Sequence, residues 1–383
     1  MYSKGTMQAL GHLLESGNHA PKVSSPVGCL LPEQNALRYR LDAFLDGCEF
    51  TRSSQYPRYR KEIDEIFQHL YEDDTVSLPG RSGIVPLSII IADGSRPVYF
   101  VEDDHLTKKG KANGPFVDVI EQHATDLERV ALSVGRIETD EKSPSPGMDK
   151  WYDGTAFLVA GDIAMTNRHV LERMVNEPNS NVGPFTLKAN YWLNFDATLN
   201  SSQSRRFRID DVIYAGPEVI GSGGDITRLD LALLKIGNPE IAGTPMPAPL
   251  VVNTVPLLKT QKIAVIGYPA APSIYVGTGT PPVDYELEEV LRDLFDARFG
   301  YKRCASGEVD AVAGSFPEDT ARWTIKHDAS TLSGNSGSPI FTFSDEPLSV
   351  SALHFSGTPR VANLGHVFDQ ITADLKSKGI PIT

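Results

Sequence analysis

From about Val134 to its end the chain is written in short apolar runs separated by turn residues, and this pattern limits it to a β-sandwich or β-barrel. Gly154 to Ala160 reads as a strand, Gly161-Asp162 as a two-residue turn, and Ile163 to Asn167 as the return strand. Further strands are expected at 207–212, 231–236, 262–267, 307–312, 323–327, 340–343 and 350–355. Tyr285, Leu287, Val290, Leu291, Leu294 and Phe295 recur at helical spacing, so a helical insertion is expected within 283–299. Val367, Phe368, Ile371 and Leu375 predict a closing helix that Gly379 and Pro381 stop.

The first third reads differently. Residues 1–32 lack a period and are expected to form a mobile arm. Leu37, Leu41, Phe44 and Leu45, then Tyr59, Ile63, Ile66, Phe67 and Leu70, predict two helices. A strand at 85–92, the Asp93-Gly94 turn and a strand at 97–101 follow. Residues 102–115 read as a loop or linker, and Phe116, Val119, Ile120, His123, Leu127, Val130 and Val134 mark one helix face. The expected organisation is a small α+β module over 1–133, serving regulation, targeting or a regulatory partner, before a mainly β domain over 134–383. The Glu102-Asp103-Asp104-His105 run reads as a solvated acidic loop, since no second cluster completes a metal site.

A net charge of −13 and a pI near 5.2 argue against nucleic acid or an anionic membrane as partner. No apolar run approaches the ~18 residues that a bilayer span needs, and the first twenty residues lack a continuous signal-like core. Cys29, Cys48 and Cys304 are odd in number and show no C-x-x-C spacing, which fits free thiols in a reducing cytoplasm. No cofactor or metal is implied.

The chemistry concentrates in Ser330-Thr331-Leu332-Ser333-Gly334-Asn335-Ser336-Gly337-Ser338-Pro339. Its glycines allow a tight turn close to a ligand, and such a turn can aim the Ser336 hydroxyl and nearby N–H groups at one point. A serine hydroxyl attacks only when a base takes its proton, so a histidine and an orienting carboxylate are required. His169 follows the return strand in Thr166-Asn167-Arg168-His169-Val170. Asp230 opens the apolar run Asp230-Leu231-Ala232-Leu233-Leu234, where an unpaired carboxylate would be costly and a partner such as an imidazole N–H is expected.

In the order His169, Asp230, Ser336, these three stretches resemble the chymotrypsin-like serine peptidases, over roughly residues 134–383. The resemblance lies with the bacterial, disulfide-free branch that includes the glutamyl endopeptidases and intracellular trypsin-like peptidase domains. It implies a double β-barrel with a C-terminal helix and a site in the cleft between barrels. It further implies His169 as general base and then acid, Asp230 as its orienter, and Ser336 as the residue that carries the acyl group. The N–H groups of Gly334 and Ser336 would form the oxyanion hole. The substrate would be a protein or peptide.

Two positions depart from the family pattern. Asn335 stands where digestive members carry an aspartate that pairs with a newly cleaved N-terminus, so that activation switch is not expected, and control would pass to the N-terminal region. Ser333 stands where glycine is common. By family position Ser330, Thr331 and His354 line the primary pocket. Ser330 is not the carboxylate that Arg/Lys cleavage wants, whereas a threonine and a histidine at the Thr331 and His354 positions grip acidic side chains in glutamyl endopeptidases. Cleavage after Glu or Asp is the resulting expectation. Two alternatives differ in class. An α/β-hydrolase esterase would need glycine at Ser338, a helix after the serine and the order Ser, Asp, His. A catalytically silent peptidase-fold binding module would need no triad.

Overall fold

A computed structural model describes residues 22–24, 30–32, 96–108, 114–142, 150–201, 204–221, 225–271, 294–296, 298–344, 347–358 and 362–377. Two compact units divide the chain: Met1–Ile84 with Pro282–Leu287, and Val85–Pro281 with Glu288–Thr383. Within the first unit β1 (Lys22–Ser24) pairs antiparallel with β2 (Leu30–Pro32). The helices expected at 37–45 and 59–70, the strand at 85–92, most of the 283–299 insertion and the Gly379/Pro381 stop lie outside the described residues.

The second unit opens with a hairpin, β3 (Val98–Glu102) and β4 (His105–Lys108), then two short helices, α1 (Pro115–Gln122) and α2 (Ala124–Ala131). The expected single helix is therefore broken at His123, and Val134 begins a strand instead. Phe116, Ile120, Leu127 and Val130 do face the core.

Six strands close the first barrel: β5 (Val134–Thr139), β6 (Tyr152–Ala160), β7 (Ile163–Thr166), β8 (Tyr191–Asn194), β9 (Arg206–Ala215) and β10 (Ala232–Pro239), in the order β10-β7-β6-β5-β8-β9. The short helix α3 (Arg168–Met174) follows β7. The second barrel runs β11-β14-β15-β16-β13-β12 and closes through β12 on β11. Its strands are β11 (Lys262–Gly267), β12 (Arg303–Ala311), β13 (Thr324–His327), β14 (Pro339–Thr342), β15 (Val350–Thr358) and β16 (Ala362–Val367). The helix α4 (Phe368–Ser377) buries Phe368, Ile371 and Leu375.

The near-continuous apolar runs have a simple cause. In β6, Ala156 and Leu158 fill the first barrel, while Phe157 and Val159 join a core shared with the second barrel's Tyr268 and Phe341. In β10, Ala232, Leu234 and Ile236 point inward, while Leu231 and Leu233 at its start face the shared core. In β11, Ile263 and Val265 fill the second barrel and Ala264 and Ile266 the shared core. Strands buried on both faces lose the polar alternation of a half-exposed sheet.

Residues 98–133, placed by the sequence ahead of the boundary at 133, pack with the β domain. β3 pairs Val98, Tyr99 and Phe100 with Ala305, Cys304 and Arg303 of β12, extending the second barrel's sheet, and α2 adds Leu127 and Val130 to the shared core. Strand β12 takes this extra partner because it is long. β3 occupies its edge at 303–305 and β13 the same edge at 309–311.

Candidate active site

Asn167 precedes α3 in extended conformation and leaves His169 in the helix's first turn, not at a strand end as the sequence suggested. First-turn amides lack a helical partner. That of His169 donates to Asp230 Oδ1 at 2.9 Å, and its Nδ1 lies 2.6 Å from Asp230 Oδ2. Asp230 is fully buried at the mouth of β10, and Asn167 Nδ2 donates to its carbonyl at 2.9 Å. Burial alone would raise the Asp230 pKa. The charge and two hydrogen bonds of His169 outweigh it, so the group lies below the ordinary carboxylate value and stays ionised. The His169 side chain keeps 12 % exposure, an edge open toward a substrate.

Arg168, buried beside His169, braces the loops around this pair. Its guanidinium donates to the Gly216 and Ser180 carbonyls and to Glu172 Oε1, and Glu172 accepts from the Ile220 and Gly221 amides.

Between Thr331 and Ile340 only Ser333 and Ser336 are partly exposed. The turn's amides divide into two sets. Asn335 N–H donates to the Leu332 carbonyl, Gly337 N–H to that of His354 and Ser338 N–H to that of Asn335. The N–H groups of Gly334 and Ser336 donate to no group among the described residues. Because a peptide unit is planar, fixing its carbonyl fixes the N–H across it. The Ser333 carbonyl is held by the Ala270 amide and the Asn335 carbonyl by that of Ser338, so both free N–H groups have set directions.

Thr155 of β6, which sequence reasoning passed over, ties this turn to the first barrel. Its N–H donates to the Ser336 carbonyl at 2.9 Å and its hydroxyl to the Gly334 carbonyl at 2.8 Å, while the hydroxyl oxygen accepts from Tyr268 N–H at 3.2 Å. A threonine in an apolar strand carries no sequence signal for this. Thr155→Val keeps the shape and strands the buried Tyr268 amide, so a loss of about 1–3 kcal/mol is expected, with a lower kcat; urea unfolding and steady-state kinetics check both. Gly154 lies between the Ser336 carbonyl and the Val170 side chain, next to His169. The Ser336 turn and α3 therefore meet across one glycine. Ser336 Oγ makes no hydrogen bond to the imidazole among the described residues, and such bonds commonly tighten only with substrate.

Ser330, Thr331 and His354 are all buried at the second barrel's edge. Ser330 Oγ reaches the Arg96 carbonyl at 3.4 Å, and His354 N–H donates to the Ser338 carbonyl at 2.9 Å. Behind His354 stands a second histidine, His327, with Nε2 3.3 Å from His354 Nδ1. Burial lowers His327 to about 3 and His366 to about 4, from an ordinary 6.5, and holds His354 well below it.

These rings make the fold acid-sensitive. They stay neutral when folded until pH falls to their lowered values, whereas unfolded they take up protons near 6.5. Between pH 6.5 and 4 the unfolded chain therefore binds more protons. Stability is expected to fall with pH across that window by up to ~1.4 kcal/mol per unit for each histidine. Denaturant midpoints at pH 7, 5.5 and 4.5 measure it, and equal midpoints would refute the assignment.

The family model of the trypsin-like peptidase domain matches residues 154–348. A probable serine protease of Lysobacter enzymogenes is 31 % identical over 305 residues, covering 75 % of this chain and 73 % of that protein. That share is more than residues 134–383 alone can supply. Crystal structures of the Rv3671c protease from M. tuberculosis, in active and inactive forms, are 17 % identical with TM-scores of 0.36. They cover 67 % and 68 % of this chain and 85 % and 92 % of their own. With half of the chain under the family model and that relative across three quarters of it, the chain belongs to the trypsin-like serine peptidases, hydrolases with the chymotrypsin-like double barrel that act on peptide bonds.

Proposed function

We propose that the chain is an endopeptidase working through an acyl-enzyme on Ser336, with His169 as base and acid, Asp230 as its orienter, and Gly334 and Ser336 N–H as the oxyanion hole. The observation that carries this is a partly exposed Ser336 with two uncommitted N–H groups of fixed direction, on a turn that meets, across Gly154, the helix bearing the His169–Asp230 pair. His169 Nε2 takes the Ser336 proton as Oγ bonds to the scissile carbonyl carbon, and the new oxyanion is received by the two N–H groups. The imidazolium gives its proton to the departing amine. Water then enters, loses a proton to His169, attacks the ester and frees the acid while Ser336 regains its hydrogen. Asp230 stays ionised throughout, stabilising each imidazolium.

The same reading assigns Ser330, Thr331 and His354 to the primary pocket and gives a preference for Glu or Asp before the scissile bond. His354 and His327 share one proton, and His327 Nδ1 is buried without a partner among the described residues. A bare buried acceptor costs less than an orphaned N–H. His327 Nε2–H therefore donates to His354 Nδ1, which leaves the His354 hydrogen on Nε2 as a neutral donor for a carboxylate oxygen. A peptide library tests this: wild type is expected to cut after Glu or Asp, Ser336→Ala to cut about 10⁶-fold more slowly, and His354→Ala to lose the acidic preference by ~100-fold or more. No preference for acidic residues would sink the pocket assignment, and undiminished cleavage by Ser336→Ala the mechanism. A reducing cytoplasm, a bacterial source and regulation through the N-terminal residues belong to the same proposal, supported by the odd cysteine count and by Asn335.

A further inference from the structure

His366 lies on β16 in the second barrel, in register with Leu353 of β15 and Thr324 of β13, yet its contact of consequence is with the first barrel. The backbone N–H of Asp230 donates to His366 Nε2 at 3.1 Å. The ring is fully buried, stacked on Phe355 with centroids 4.1 Å apart and planes 12° apart, and edge-on to Trp323 at 5.8 Å. Trp323 makes a second reach across the barrels: its Nε1–H donates to the Ile226 carbonyl at 2.9 Å, within the loop that leads into Asp230.

These contacts complete the hydrogen bonding of Asp230. The carbonyl is held by Asn167, both carboxylate oxygens by His169, and the amide by His366. Among the described residues His366 reaches Asp230 itself and Trp323 the loop before it from the second barrel, and Asp230 stands just ahead of β10, where no strand pairing fixes its backbone. We propose that His366 is a positioning residue, through which the second barrel sets the backbone of Asp230 and so the direction of its carboxylate toward His169. The proposal rests on the reading of Asp230 as the residue that orients His169. The interaction needs a bare Nε2 lone pair, which burial secures by keeping the ring neutral; the nearby charges, Asp230 and Asp319, oppose that only in part. A consequence is that the two barrels cannot shift against each other without turning the carboxylate.

The test uses the full chain, with kcat and KM measured on an N-acyl p-nitrophenyl ester and thermal melting run alongside. His366→Leu is expected to lower kcat by about 10- to 100-fold with KM unchanged. His366→Gln, whose side-chain oxygen reaches the place of Nε2, is expected to recover most of it, while His366→Asn, too short to reach, is not. In an Asp230→Ala background His366→Leu is expected to cost nothing further, because no carboxylate is left to aim. An unchanged kcat in His366→Leu, or an equal loss with and without Asp230, overturns the proposal. Should His366→Leu fail to fold, the Gln and Asn variants decide: equal kcat in the two overturns it. Full activity in Asp230→Ala alone instead overturns the underlying reading of Asp230, a result separable from the others.

Discussion

A Ser336→Ala variant is expected to lose about 10⁶-fold in kcat on any peptide or ester substrate while its melting temperature stays that of the wild type. Ser336 is partly exposed and the turn is held by backbone hydrogen bonds from Thr155, Asn335 and Gly337, none of which the substitution touches. The protein should still bind substrate, and the two N–H groups should still polarise its carbonyl. A residual rate of about 10³–10⁴ over water is therefore expected rather than none. His169→Ala should fall equally far, and the double variant no further, because base and nucleophile act as one unit. Steady-state kinetics with the three variants measure this; additive losses would show that the residues do not work together.

The second large effect comes from a residue with no side chain. Gly337 has φ of +88°, and a Cβ there would overlap the Thr155 carbonyl oxygen and crowd the Thr166 hydroxyl. The left-handed conformation alone costs an L-residue about 1–2 kcal/mol. The overlap is with β6 backbone, which cannot swing aside, and forced overpacking adds about 1–3 kcal/mol. Thr166 Oγ1 donates to that same Thr155 carbonyl at 2.7 Å, so the added methyl also strikes the link between β6 and β7. Gly337→Ala is thus expected to destabilise the domain by roughly 2–5 kcal/mol and to abolish turnover even where the fold survives. Unlike Ser336→Ala it moves both the melting temperature and the rate, and comparing the two separates the geometry of the turn from its chemistry.

How much of this was legible in the sequence depended on whether the signal was local. The Gly161-Asp162 turn and its two strands declare themselves in a dozen residues, and the structure has β6 and β7 there. His169, Asp230 and Ser336 became candidates because each sits in a short stretch whose flanks match a known pattern. The strand at 97–101 was legible, but its partner β4 (His105–Lys108) fell in a stretch read as loop, and its place in the second barrel's sheet did not show, since its partners Arg303, Cys304 and Ala305 lie some two hundred positions away. Nothing in Pro97-Val98-Tyr99-Phe100-Val101 says which edge it will join. The helix expected up to Val134 failed at its end because a buried strand and an apolar helix face look alike over a few residues.

The parts that hold the site in place were not legible, for the same physical reason. Thr155 and His366 act through contacts made only when two barrels meet, and Gly267 through one between β11 and the turn before β14, far apart in the chain. A Cβ on Gly267 would strike the Ser338 hydroxyl and crowd the Asn335 side chain, which fixes β11 against the nucleophile turn. In the sequence it is one more glycine at a strand end. Asn335, read as the loss of an activation switch, has a positive part as well: its side-chain amide donates to the Leu332 carbonyl at 3.2 Å, so the turn is braced from within.

The central claim is that Ser336 is a nucleophile activated in this resting geometry, and one measurement meets it directly. The purified full chain is treated with a fluorophosphonate and the adduct located by peptide mass spectrometry. The account predicts close to one label per chain, carried on Ser336, with labelling lost in Ser336→Ala and strongly slowed in His169→Ala. A chain that takes up no label, or one whose label sits on another residue and survives Ser336→Ala, would contradict it.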